Sequence, residues 1–385
     1  MQRKTMILGI IILFFIGNFA SAFTIEIYKM NKQFCSGDIL YVGGNGPGNF
    51  TKIQDAIDNA SSGDIIFVYN GTYYENVMLY KSINLIGEKK ENTIIDGGEM
   101  GIPIKVMKSY IYISSFTIKN CISRGEGIQV LTENNIDISD CDILNCYGNG
   151  SSGIEFSNVF DSSIKDCNFY NNTGKGIKIN NCENIEIESC FIENSYNGII
   201  VWFSSYLKIN NTFTINNEDG INVWSSTNVD IFNNVVSDNN RKGITISYCE
   251  KDSNIDICNN SILNNGHGIF YFNAGIFIQY CKDDITIEYN NIKNNDPYGI
   301  YIICSSFHKI MKNNFIENNI SAYILYSINP KIFYPNSWEY NYWDDWIGLK
   351  FKFARFFPKV IRGSYDFIIP WFDLDLHPVK EPYKI

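Results

Sequence analysis

Histidine is almost absent from this chain: His267, His308 and His377 are the only three in 385 residues, and they are far apart. A metal centre needs ligands that converge on one point, so no metal and no cofactor is expected. Arginine is scarce beside lysine, no basic stripe appears, and the formal net charge is −10. An acidic chain of this kind is a poor partner for nucleic acid or for an anionic membrane surface. No stretch beyond residue 22 stays apolar for the roughly 18 to 20 residues that a bilayer span requires, and the C-terminus carries no lipid-anchor motif. The apolar run Met6 to Gly17 is shorter than that, follows Gln2-Arg3-Lys4 and precedes Ala20-Ser21-Ala22. That order reads as an export signal, residues 1–22, leaving a secreted or surface-associated mature protein.

What the chain has in abundance is a repeat. From Gly176 onward, GIKINNCENIEIESCFIENSYN is followed by GIIVWFSSYLKINNTFTINNED and GINVWSSTNVDIFNNVVSDNN. Each copy opens on Gly-Ile, alternates apolar and polar residues for a short strand, turns, alternates again and ends in an Asn-rich turn. The openings at residues 127, 153, 176, 198, 220, 243, 275 and 299 are mostly about 22 to 26 residues apart, the period of a solenoid. The longer gap after Gly243 contains an extra segment, Gly266 to Ala274, of the kind that forms a loop on one side.

Eleven cysteines in an exported chain would ordinarily suggest disulfides. Their periodic placement favours buried, unbridged packing thiols instead. One slot holds Cys182, Cys249 and Cys281, with Ser204 and Ser226 between them. Another column reads Cys121, Cys141, Cys167, Cys190, Thr212, Asn234, Asn260, Asn290, Asn313 and Asn336. Stacked in register, such asparagines would form a hydrogen-bonded ladder. Before the first coil, Phe50, Ile53, Ala56, Ile57 and Ala60 share one face at helical spacing, with Asn49 placed to cap. The expected organisation is therefore a signal (1–22), a lead-in (23–48), an all-β parallel solenoid (49–330) with a capping helix at about 49–60, and an aromatic C-terminal cap (331–385) rich in Trp338, Tyr340, Tyr342, Trp343 and Trp346.

The stretch FTKIQDAIDNASSGDIIFVYNGTYYENV, the turn INLIGE and the Gly-Ile coils resemble the right-handed parallel β-helix, pectin-lyase-like superfamily. Within it they are most similar to the NosD-like and carbohydrate-binding or sugar-hydrolase repeat proteins of archaeal and bacterial surfaces, over roughly residues 41–385. The resemblance implies a single-stranded right-handed β-helix and says little about activity. Pectin-hydrolysing members carry a Gly-His-Gly with nearby aspartates. Gly266-His267-Gly268 is present, but Asp283-Asp284 follows it and Asp344-Asp345 lies in the tail, and His267 occupies the turn position held elsewhere by Lys175 and Lys242. Arg124, Arg241, Arg355 and Arg362 form no lyase set, and the column pair Asp230 and Asp256 reads as a solvated face.

One outward feature remains. In GIIVWF and GINVWS, Ile199, Val201, Ile221 and Val223 point inward, so Trp202 and Trp224 face out on adjacent coils. Two neighbouring indoles make a flat apolar strip on which sugar rings stack. The expected ligand-binding residues are thus Trp202 and Trp224, the expected partner is a polysaccharide or envelope glycan, and no catalytic residue is assigned. An enzyme would show acids converging in an outward groove with shifted proton affinity, a binder aromatics along a groove, and a passive envelope component neither.

Overall fold

The computed structural model describes residues 37–98, 101–121, 125–148, 150–267, 272–282, 285–326, 336–350, 357–365 and 369–385. The expected signal, most of the lead-in, Arg124, Arg355, Asp283-Asp284 and the middle of the 266–274 segment lie outside these residues.

The chain is an all-β parallel solenoid. Each coil contributes up to three short strands, and each strand pairs in parallel with its counterpart one coil on. The first strand of a coil carries the Gly-Ile opening, as in Lys175–Asn180, Asn197–Trp202 and Asp219–Trp224. Second strands include Glu183–Glu188 and Ser205–Asn210, and third strands Phe191–Glu193 and Phe213–Ile215. Register is strict: Ile177, Ile199, Ile221, Ile244, Ile276 and Ile300 stack in one fully buried column. Each such side chain contributes about 1.5–3 kcal/mol by leaving water. The opening glycine is required by close approach. A Cβ on Gly198 would lie 2.6 Å from the carbonyl oxygen of Gly220, and one on Gly220 would lie 2.5 Å from that of Gly243.

The repeated Asn-Asn pairs divide two tasks. Asn233, Asn259, Asn264 and Asn294 adopt left-handed φ values of 53 to 58° at the corners, which asparagine tolerates better than most residues. The residue that follows each one points inward and builds a ladder. In one ladder the backbone N–H of Cys190 donates to Thr212 Oγ1, and Thr212, Asn234, Asn260, Asn290 and Asn313 each donate to the side chain one coil on, ending on Asn341 Oδ1. Asn341 therefore replaces the expected Asn336, which instead accepts from the His308 N–H at a different corner. Cys121 also belongs elsewhere. It is the register partner of Cys146, whose N–H donates to Asn172, and the same corner resumes with the Ser195 N–H donating to Asn217 and a ladder through Asn239, Asn265, Asn295 and Asn318. The column cysteines, such as Cys141, Cys167, Cys182 and Cys190, are buried free thiols.

The helix is shorter than expected, Ile53–Asn59, and Asn49 does not cap it. The Asn49 amide instead donates to the Gly43 carbonyl at 2.6 Å, and the Glu75 carboxylate accepts the free N–H groups of Ile53 and Gln54 at 2.9 and 3.0 Å. Ile53, Ala56 and Ile57 are buried in the solenoid core. At the other end Trp338 and Trp343 are core residues of the last coil, and Trp343 stacks on Phe315 at 4.0 Å. An antiparallel hairpin, Lys359–Tyr365 with Ile369–Asp375, brings in buried Asp375, which accepts from Asn341 N–H and Trp343 Nε1 and so terminates the first ladder. No helix among the described residues is long and apolar enough to cross a membrane.

Candidate functional site

The outward side of the Gly-Ile strands is where unexplained side chains collect. Trp202 and Trp224 are register partners, and with Ile199, Val201, Ile221 and Val223 fully buried, strand alternation leaves both indoles facing out. Trp224 is 36% exposed and Trp202 half-buried. Two further rings extend the line. Tyr248 lies 5.4 Å from Trp224, and Tyr280 stacks on Tyr248 at 5.1 Å. Both tyrosines have positive φ at the first corner, one residue before the Cys249 and Cys281 slot. Their place in Tyr-Cys pairs was the available signal, and strand alternation alone does not reveal it.

Beside the indoles runs a groove of about 430 Å³ lined by Tyr196, Asn197, Ile200, Asn222 and Arg241. Arg241 is held by Asp219 through Nε at 3.2 Å and through Nη2, and its guanidinium lies 5.3 Å over the Tyr196 ring. At the N-terminal end of the line, Lys178 Nζ lies 5.8 Å from the Trp202 ring centre and 2.6 Å from Glu155 Oε1. The Gln129 amide then bridges two buried acids, donating to Glu155 at 3.0 Å and to Glu126 at 3.3 Å. Burial, followed by the Glu155 charge, pushes the Glu126 carboxyl up to about 7. Burial raises Glu155 too, but hydrogen bonds from Lys178 and Gln129 outweigh it and leave that carboxyl below its ordinary value. Neighbouring acids with proton affinities driven apart are what acid–base chemistry uses. Sequence reading missed this pair because Glu126 sits just before a strand, out of the periodic pattern.

The other candidates separate. Asp230 and Asp256 are register partners, but on the second strands, apart from the indoles, and burial followed by the Asp256 charge raises Asp230. Asp344 accepts the Glu317 N–H at 2.6 Å and Asp345 pairs with Lys359 at 2.5 Å, so the tail pair is spent on cap contacts. His267 is an exposed corner residue.

The sequence matches the model of the right-handed β-helix region over residues 20–209 and 152–319, well over half the chain. The chain belongs to that family. No curated protein matches it in sequence. Among solved structures, the β-helix is similar to the A-module of the Azotobacter vinelandii mannuronan C-5 epimerase AlgE6, with TM-score 0.57 and 15% identity over 74% of this chain and 92% of that one. It is also similar to the tailspike of E. coli bacteriophage HK620 in complex with pentasaccharide, with TM-score 0.57 and 13% identity over 78% of this chain and 64% of the tailspike. The Dettilon tailspike gives TM-score 0.55 and 11% identity, covering 78% and 68%. At these identities the likeness establishes the fold alone.

Proposed function

We propose that this chain is an exported, cell-surface β-helix protein that binds a polysaccharide laid along its axis. The observation that carries the reading is the outward line of one ring per coil, in which Trp202 and Trp224 are register partners beside a groove and Trp224, Tyr248 and Tyr280 are in ring contact. Coils repeat at about the 4.8 Å strand spacing, so the rings form a near-continuous apolar track for the faces of successive sugar rings. Support also comes from similar folds whose names carry mannuronan and a bound pentasaccharide. The signal-like residues 1–22 support export, and the NosD-like resemblance of residues 41–385 supports an envelope setting. The test is depletion of the purified chain by a panel of insoluble polysaccharides. The W202A/W224A double variant is expected to lose about tenfold in retention on the polymer bound by the parent. Unchanged retention on every polymer overturns the reading.

A second reading, cleavage of the bound chain, is favoured by Glu126 and Glu155 alone. A buried carboxyl that keeps its proton near neutrality, in contact with a carboxylate, can serve as a general acid, one of the two roles glycoside hydrolysis needs. New reducing ends that vanish in E126Q while retention persists would establish it.

A further inference from the structure

We propose that a pocket adjoining the aromatic line receives an acidic sugar unit, with the Lys242 ammonium pairing to its carboxylate; the proposal rests on the polysaccharide-binding reading above. The pocket has a volume of about 560 Å³ and is lined by Lys242, Tyr248, Phe272, Phe277, Gln279 and Tyr280 among others, none of them acidic. It opens onto the same track, since Tyr248 and Tyr280 belong to both.

Lys242 is the cation that the fold leaves unmatched there. Its half-buried ammonium lies 4.4 Å over the Phe277 ring, and among the described residues no carboxylate pairs with it. Its register partner Asp219 is already engaged through both oxygens by Arg241, and Asn197 adds a further donor at 3.4 Å. Burial accordingly pulls the Lys242 pKa down. Lys178, on the same sheet face, shows the contrasting arrangement, matched at 2.6 Å by Glu155. A desolvated ammonium without an anion is costly, and an anion entering the pocket relieves that cost. Aromatic walls with one convergent cation suit a sugar ring bearing a single acidic group.

The experiment measures depletion of the full chain and of K242M, K242Q and K242R by a polyuronate, a sulfated polysaccharide and a neutral polysaccharide, with urea midpoints as the folding control. Methionine retains most of the stem packing on Phe277, and glutamine serves as a second neutral variant. The parent is expected to retain the polyuronate, K242M and K242Q to weaken that retention by about tenfold or more, and K242R to keep most of it, with any neutral-polymer retention unchanged. Polyuronate retention unaffected in K242M and K242Q, or a parent that holds only neutral polymer, overturns the proposal and leaves the aromatic-line reading standing on its own variants. Loss confined to the sulfated polymer overturns the carboxylate assignment. A parent that retains no polymer at all removes the underlying reading and this one together.

Discussion

Asn260 offers the sharpest test of what holds the coils together. Its side chain is fully buried and makes four hydrogen bonds. Oδ1 accepts from Asn234 N–H at 2.9 Å and Asn234 Nδ2 at 3.0 Å, while Nδ2 donates to the Ile231 carbonyl at 2.8 Å and Asn290 Oδ1 at 3.0 Å. In N260A the Asn234 N–H loses this acceptor inside the core, at about 1–3 kcal/mol, and three further bonds disappear at about 0.5–1.5 kcal/mol net each. The sum is about 2.5–7.5 kcal/mol. N260T should cost less, about 1–2 kcal/mol, because Thr212 occupies the same column and its Oγ1 accepts a backbone N–H at 3.3 Å. N260D is isosteric yet should be the worst of the three at pH 7, since its second oxygen would face the Ile231 carbonyl and Asn290 Oδ1 with no proton to share. Its folded pKa must then lie above the ordinary value near 3.9, so its stability falls as pH rises through and above that value and recovers in acid. Urea midpoints followed by circular dichroism give the ranking, and hydrogen exchange at the Asn234 amide reports the local opening. An N260D protein as stable as the parent at pH 7, or an N260A cost below about 1 kcal/mol, would refute the ladder as a principal source of coil cohesion.

Two further outcomes follow from the buried titrating groups. The Glu126 carboxyl, raised to about 7 from 4.5, binds its proton more tightly folded than unfolded, so the chain loses stability as pH rises from about 4.5 to 7 by up to about 3 kcal/mol. The lowered Glu155 acts only below that window, so E126Q should flatten the pH dependence of the urea midpoint between 4.5 and 7, and an unaltered slope would contradict the assignment. Burial pushes the Cys190 thiol up to about 12, so at pH 8 iodoacetamide should modify half-exposed Cys258 well before Cys190 in the folded chain. Mass spectrometry of peptides settles the order, and equal rates would show that the core opens faster than the structure implies.

How much of this was legible in the sequence depends on which way a residue points. Inward positions repeat because each must meet its own kind one coil away, so the Ile columns, the opening glycines and one Asn ladder show as periodicity. The errors there are of phase. Asn336 precedes a second-type strand and Asn341 a third-type strand, and the aromatic tail separates them by too few residues for period alone to decide. The helix cap was illegible for a different reason: Glu75 lies 22 residues from Ile53, and only the closing of the first coil brings it to the helix N-terminus.

Outward positions are under no such constraint, and this is why the candidate site was only half visible. Trp202 and Trp224 were found because two consecutive coils placed the same residue in the same register. Tyr248 and Tyr280 shift by one residue to the corner, where a left-handed φ and not strand alternation sets the direction of the side chain. Gln129, Glu155 and Lys178 share one outward slot on three successive coils, but the residue type changes at each step and Glu126 lies outside the strand register, so only their distances reveal the cluster. A β-helix can change its outer face residue by residue without disturbing the stacked core, because the ladders beneath hold register whatever the outward side chains are. The proposed function would then be encoded in departures from the repeat. Among the described residues those departures gather on the outer side of the Gly-Ile strands, from Glu126 to Tyr280.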